Sequence, residues 1–130
     1  MRATASVPYT YVVLRCVPRA DREEFVNVGV VLYCQDADFL GCASHLDRER
    51  LHALSASLDL EAVAASLSAA EHVCRGDGES GAAGQAPLVT RFGFLSAPRS
   101  TVVRPGPIHG GVTTDPEAEL SRLLDTLVRC

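Results

Sequence analysis

The segment Tyr9–Cys34, YTYVVLRCVPRADREEFVNVGVVLYC, constrains the fold more than any other part of the chain. Two apolar runs flank a short charged connector. In the second run Val26, Val28, Val30, Leu32 and Cys34 occupy alternate positions, and side chains repeat with a period of two along a strand. The five are therefore expected on one buried face. Asn27 and Gly29 interrupt the apolarity of the other face. The first strand, Tyr9–Val17, stops at Pro18, which has no N–H for a ladder.

Asp38–Ser44 can complete a meander after a tight connection at Gln35, Asp36 and Ala37. Ser44 or Asp47 can cap a helix with Leu51, Leu54 and Leu58 as its stripe. A second helix starts near Asp59 and carries Leu60, Val63, Leu67, Ala70 and Cys74 on one side. Gly76 ends it. Residues 76–86, GDGESGAAGQA, are small and polar and predict a mobile surface loop. Arg91–Leu95 and Ser100–Arg104 read as short extended segments on either side of Ala97-Pro98, followed by a stiff corner at Pro105, Gly106 and Pro107. The last helix is capped by Asp115 with Pro116 in its first position. Leu120, Leu123, Leu124, Leu127 and Val128 form its stripe. These elements predict a single α+β domain over residues 1–130. Its antiparallel sheet has three to five strands, with helices packed mainly on one face and an amphipathic C-terminal helix. Val26, Val28, Val30 and Leu32 are expected beneath that last helix.

A chain of 130 residues can bury one core without staples. All 12 basic residues are arginine, which matches the codon bias of a GC-rich genome. The net charge of −4 disfavours non-specific nucleic-acid binding, which depends on neutralising phosphates. The apolar runs are too short to cross a bilayer, and the first residues lack a continuous signal-peptide core, so the expected compartment is the cytoplasm. Cysteines stand at 16, 34, 42, 74 and 130, none at a two-residue spacing, so neither a zinc knuckle nor a disulfide framework is expected. Cys16 and Cys34 read as small buried hydrophobes, and the terminal Cys130 as exposed.

Chemistry concentrates between Ala97 and Pro116. Arg99, Ser100, Thr101, Arg104, His109 and Gly110-Gly111 fall there. Arginine forks bind carboxylates and phosphates, and glycines let backbone N–H groups approach an anion. Asp115 already occupies the positive end of the following helix, which argues for a rigid loop over the sheet edge instead. His109 can act as base or acid near neutral pH, yet no nucleophile, acid and base recur around it, so no catalytic residue is assigned. His45 and His52 are seven apart, not the four of a helical metal pair, and neither metal nor cofactor is expected. Gly76, Gly78 and Gly81 match a dinucleotide-loop spacing but follow a helix rather than a strand. Tyr9, Tyr11, Val13 and Arg15, with Phe25, Asn27, Gly29, Val31 and Tyr33, are expected to share the second sheet face. That face could stack single-stranded nucleic acid, but its apolar members and the acidic net charge favour coverage by a partner or loop.

The stretch around Glu24, Phe25, Val26, Asn27, Val28, Gly29 and Val30 resembles a bacterial family known as domain of unknown function number three-thousand-thirty-seven. Ala97-Pro98-Arg99-Ser100-Thr101-Val102-Val103, with Pro105, Pro107, His109 and Asp115-Pro116, is similar to the same family. The resemblance supplies no reaction. It implies a kinase-like neighbour resembling HipA and, with it, an interaction partner. Glu24, Asn27, Arg99, Ser100, Thr101, Arg104, His109 and Gly110 are thus the candidate ligand or partner residues. The first functional expectation is a small cytoplasmic binding or accessory protein. The alternatives are an enzyme or sensor for a phosphorylated small molecule, using the Arg/His/Gly loop, and single-strand binding through Tyr9, Tyr11, Arg15 and Tyr33.

Overall fold

The computed structural model describes residues 5–129; Cys130 lies outside them. Strand β1 (Val7–Cys16) is central. It pairs antiparallel with β2 (Val26–Cys34), which pairs in turn with β3 (Phe39–Ser44). On its other side β1 pairs with β4 (Val103–Pro105) near its end and with β5 (His109–Thr113) near its start. The helices are α1 (Arg48–Leu54), α2 (Leu60–Arg75), α3 (Leu88–Ser96) and α4 (Pro116–Leu127). The architecture is the expected α+β domain with a five-stranded antiparallel sheet. Asp47, Asp59 and Asp115 each accept a bond from the backbone N–H three residues on, closing the first turns of α1, α2 and α4.

The alternation in β2 does not survive intact. Leu14 pairs with Gly29 but Arg15 pairs with Asn27, so Val28 is an extra residue, a β-bulge. Beyond it the faces exchange. Val30, Leu32 and Cys34 face α4 with Tyr9, Leu120, Leu123 and Val128. Val26 and Val28 face the other way, with Val12, Leu14, Cys16 and Val31 against α1, α2 and α3. The expected single face for Val26 through Cys34 is therefore divided between two cores. Three helices cover one side of the sheet, and the terminal helix crosses to the other.

Two further expectations are corrected. Residues 91–95 are helical, not extended. Leu88, Phe92 and Leu95 recur at helical spacing, and the latter two are buried, with Phe92 stacked on Tyr33 at 5.7 Å. Burial of that stripe overrides the β-propensity of Val89, Thr90 and Phe94. Of Ser100–Arg104, only Val103 and Arg104 are in a strand, and β5 was not anticipated. Residues 76–86 make a turn and a short 3-10 helix. Arg91 holds the segment by donating to the carbonyls of Ala86 at 2.7 Å and Cys74 at 3.2 Å.

Asn27, turned inward by the bulge, donates from Nδ2 to the Leu127 carbonyl at 3.1 Å, and Arg50 donates to the Val128 carbonyl at 3.2 Å. These bonds satisfy orphan acceptors at the end of α4. Leu123→Ala, at a site 4% exposed, is expected to cost about 2–5 kcal/mol in a urea melt, more than Leu124→Ala at its half-buried site. Asn27→Asp should be more destabilising than Asn27→Ala by the same measurement. A carboxylate would face the negative end of the helix, whereas the alanine loses a bond worth about 1 kcal/mol.

Candidate functional site

The candidate residues separate into four places. Arg99, Thr101 and Arg104 line one cleft of about 170 Å³ between α2, the end of α3 and β4. Its floor is apolar, from Leu14, Leu95 and Val103, and Ser66 contributes a hydroxyl from α2. Arg99 donates to the carbonyls of Phe94 and Ala97, and its guanidinium lies 5.1 Å from the Phe94 ring. Arg104 donates to Thr101 at 2.8 Å and Ser100 at 3.3 Å, both through main-chain oxygens. The Thr101 hydroxyl donates to the Val103 carbonyl at 2.7 Å. This lattice of side-chain bonds shapes residues 97–102, which have no regular structure, and ties them to β4. No aspartate or glutamate lines the cleft, and neither arginine has a carboxylate within salt-bridge distance among the described residues.

His109 and Gly110 lie on β5. His109 is exposed and pairs across the strands with Tyr11, the ring centroids 5.3 Å apart. Asn27 sits at the end of α4. Glu24 lines a larger cavity of about 270 Å³ with Pro18, Arg19, Arg22, Leu54 and Ser55. Both arginines of that cavity are neutralised, Arg19 by Asp21 and Arg22 by Glu24, each through a two-pronged pair with one contact at 2.6 Å. The bonds from Arg19 and Arg22 hold Asp21 and Glu24 below the usual carboxylate range. The cleft at Arg99 and Arg104 is smaller, but it alone of the two presents cations without acidic partners.

The second sheet face is only half covered, since α4 lies over β2 and β3. Tyr9 is buried there. Its hydroxyl donates to Glu119 at 2.5 Å, and Arg122 clamps the same carboxylate at 2.6 Å. A side chain at Gly111 would collide with the Tyr9 ring, a Cβ coming within 2.6 Å of its oxygen, so the glycine admits the tyrosine. Val31 and Tyr33 belong to the opposite face, which corrects the nine-residue platform expected from the sequence. The Nε atom of Arg15 is shut off from water without a hydrogen-bond partner among the described residues, its guanidinium stacked 4.1 Å from the Phe25 ring centroid. Periodicity could not have found the cleft's Ser66, which is an unremarkable polar position on α2. Nor could it have found Glu119, whose partner stands 110 residues away.

Among the described residues no group of histidine, cysteine and acidic side chains could hold a metal ion, and no helix is long and apolar enough to cross a membrane. A family model described as "Protein of unknown function (DUF3037)" matches residues 11–128. The chain belongs to this family. No curated protein and no solved structure matches it. The resemblance seen at Glu24–Val30 and Ala97–Val103 thus covers a β-bulge and the wall of a cleft.

Burial, then the hydrogen bond to Glu119, pushes the Tyr9 phenol up to about 12. A raised value means that the folded state favours the protonated phenol. Its contribution is complete below the ordinary value of 10.0 and lost as pH rises from there towards about 12. Tyr9→Phe should therefore show a smaller alkaline loss of stability than wild type between those limits. Absorbance of the phenolate should show one late-titrating tyrosine that the variant lacks. Glu119 behaves oppositely. Arg122 holds its carboxyl low, so its contribution is present above about pH 4.5 and lost as pH falls through the depressed folded value.

Proposed function

We propose that the protein is a cytoplasmic binding or accessory module that docks a protein partner along β5. The observation that carries this reading is the state of that edge. Residues 105–114 contain no aspartate, glutamate, lysine or arginine. Val112 is 67% exposed and Ile108 56% exposed. No described strand pairs with the outer side of β5. An open edge of this kind offers unpaired backbone donors and acceptors, and proteins ordinarily blunt such edges with charge, proline or a covering loop. Pro105 and Pro107 protect the β4 end, while His109–Thr113 has no such guard. A partner strand laid against it would gain main-chain bonds and an apolar contact at Val112.

The partner proposed is a kinase-like protein resembling HipA, as the family resemblance implies. The other sheet edge, β3, has helices packed on both of its faces, α2 on one and α4 on the other, whereas β5 carries the exposed Val112. Co-expression with the adjacent kinase-like protein should yield a complex on size exclusion at micromolar concentration. Val112→Lys places a charge on an exposed site and should weaken the complex at least tenfold without changing the melting temperature. A complex indifferent to Val112→Lys would refute docking at this edge, and the absence of any complex would refute the partner.

A further inference from the structure

We propose that the cleft between Arg99 and Arg104 binds the phosphate group of a small phosphate monoester. Two arginines line one concavity of about 170 Å³ that contains no acidic side chain, in a chain whose net charge is −4. Both are immobilised by main-chain acceptors, Arg104 through Thr101 and Ser100, and Arg99 through Phe94 and Ala97. Each retains N–H donors that those bonds do not use, because a guanidinium carries five. The positions of the donors are thus set before a ligand arrives, which lowers the ordering cost of binding. Ser66 supplies a further hydroxyl from across the cleft.

The chemistry favours phosphate over carboxylate. A phosphate monoester presents three terminal oxygens in a tetrahedral array and carries nearly two charges at neutral pH, so it can engage two forks and a hydroxyl together. A carboxylate has two coplanar oxygens and one charge, which would leave one arginine uncompensated. The volume is below that of pockets for drug-sized ligands, so the rest of the molecule is a short carbon skeleton resting on Leu14 and Leu95. The site is independent of the docking edge, since no residue of β5 lines it.

Inorganic phosphate, glycerol 3-phosphate and butyrate, each at millimolar concentration, provide the test by thermal shift and calorimetry. Glycerol 3-phosphate should raise the melting temperature and bind more tightly than inorganic phosphate, and butyrate should do neither. Arg104→Gln should weaken glycerol 3-phosphate at least tenfold. That variant also loses loop bonds, so Ser66→Leu on the exposed face of α2 serves as the second. It occupies the cleft from the α2 side, removes none of the loop's hydrogen bonds, and should abolish binding while remaining folded by circular dichroism. No binding of either phosphate by wild type overturns the proposal. So does retention of binding in folded Ser66→Leu, or butyrate binding as tightly as glycerol 3-phosphate.

Discussion

The extra residue at Val28 decides which side chains meet which helical layer. Without it, β2 would present Val26 through Cys34 to a single layer and leave Asn27 on the opposite side. With it, one strand supplies two cores. Val26 and Val28 join the layer of α1, α2 and α3, while Val30, Leu32 and Cys34 join that of α4. The same shift delivers Asn27 to the Leu127 carbonyl, so the device that divides the strand also anchors the helix on its second face. Bulges re-aim side chains in this way at the cost of local ladder bonds. The stretch Glu24–Val30 that carries the family resemblance is thus accounted for by architecture: Phe25 supports Arg15, Asn27 holds α4, and Gly29 pairs with Leu14.

The terminal helix is held at both ends by polar contacts and along its length by apolar ones. At its start Glu119 receives the Tyr9 hydroxyl; at its finish Asn27 and Arg50 take the last carbonyls. Leu120, Leu123 and Val128 fill the space between. Because α4 packs on β2 and β3, with Tyr9 of β1 reaching into the same core, it is the β5 side of the sheet that stays exposed. An arrangement of three layers on one half and two on the other places the accessible edge and the half-open face at the same side of the sheet. Docking there would extend the sheet rather than displace any helix.

Much of this was legible in the sequence because its causes are local. Capping aspartates at 47, 59 and 115, the left-handed Gly76 and the leucine stripe of α4 are written within a few residues of where they act. The strand alternation located β1 and β2 for the same reason. The bulge was not legible, since it depends on how Leu14 and Arg15 pair across the turn, and period-two reasoning assumes an unbroken ladder. The helix α3 was missed because four of its nine residues are β-branched or aromatic, and only burial of Phe92 and Leu95 selects the helical period. Of the candidate residues, Arg99, Thr101 and Arg104 came together because only six irregular residues, 97–102, join α3 to β4 on that side. Glu24, Asn27 and His109 lie on other parts of the sheet, and their distribution reflects the register of β1 with its neighbours.

Nine of the arginines fall into two groups with different tasks. Arg19, Arg22, Arg75, Arg122 and Arg129 pair with carboxylates, mostly exposed and two to four residues away, where screening keeps each pair weak. Arg50, Arg91, Arg99 and Arg104 instead donate to main-chain carbonyls at helix ends and loops. The planar fork suits this second task, since Nε and Nη atoms can reach two carbonyls at fixed angles, which a lysine ammonium on a flexible stem does less well. Four such forks stand where the backbone turns without regular hydrogen bonds. A guanidinium so held stays charged, and its position is fixed by the chain it supports. Where two of them border one concavity, as Arg99 and Arg104 do, the bonds that order the loop also create a positive site whose geometry does not wait for a ligand.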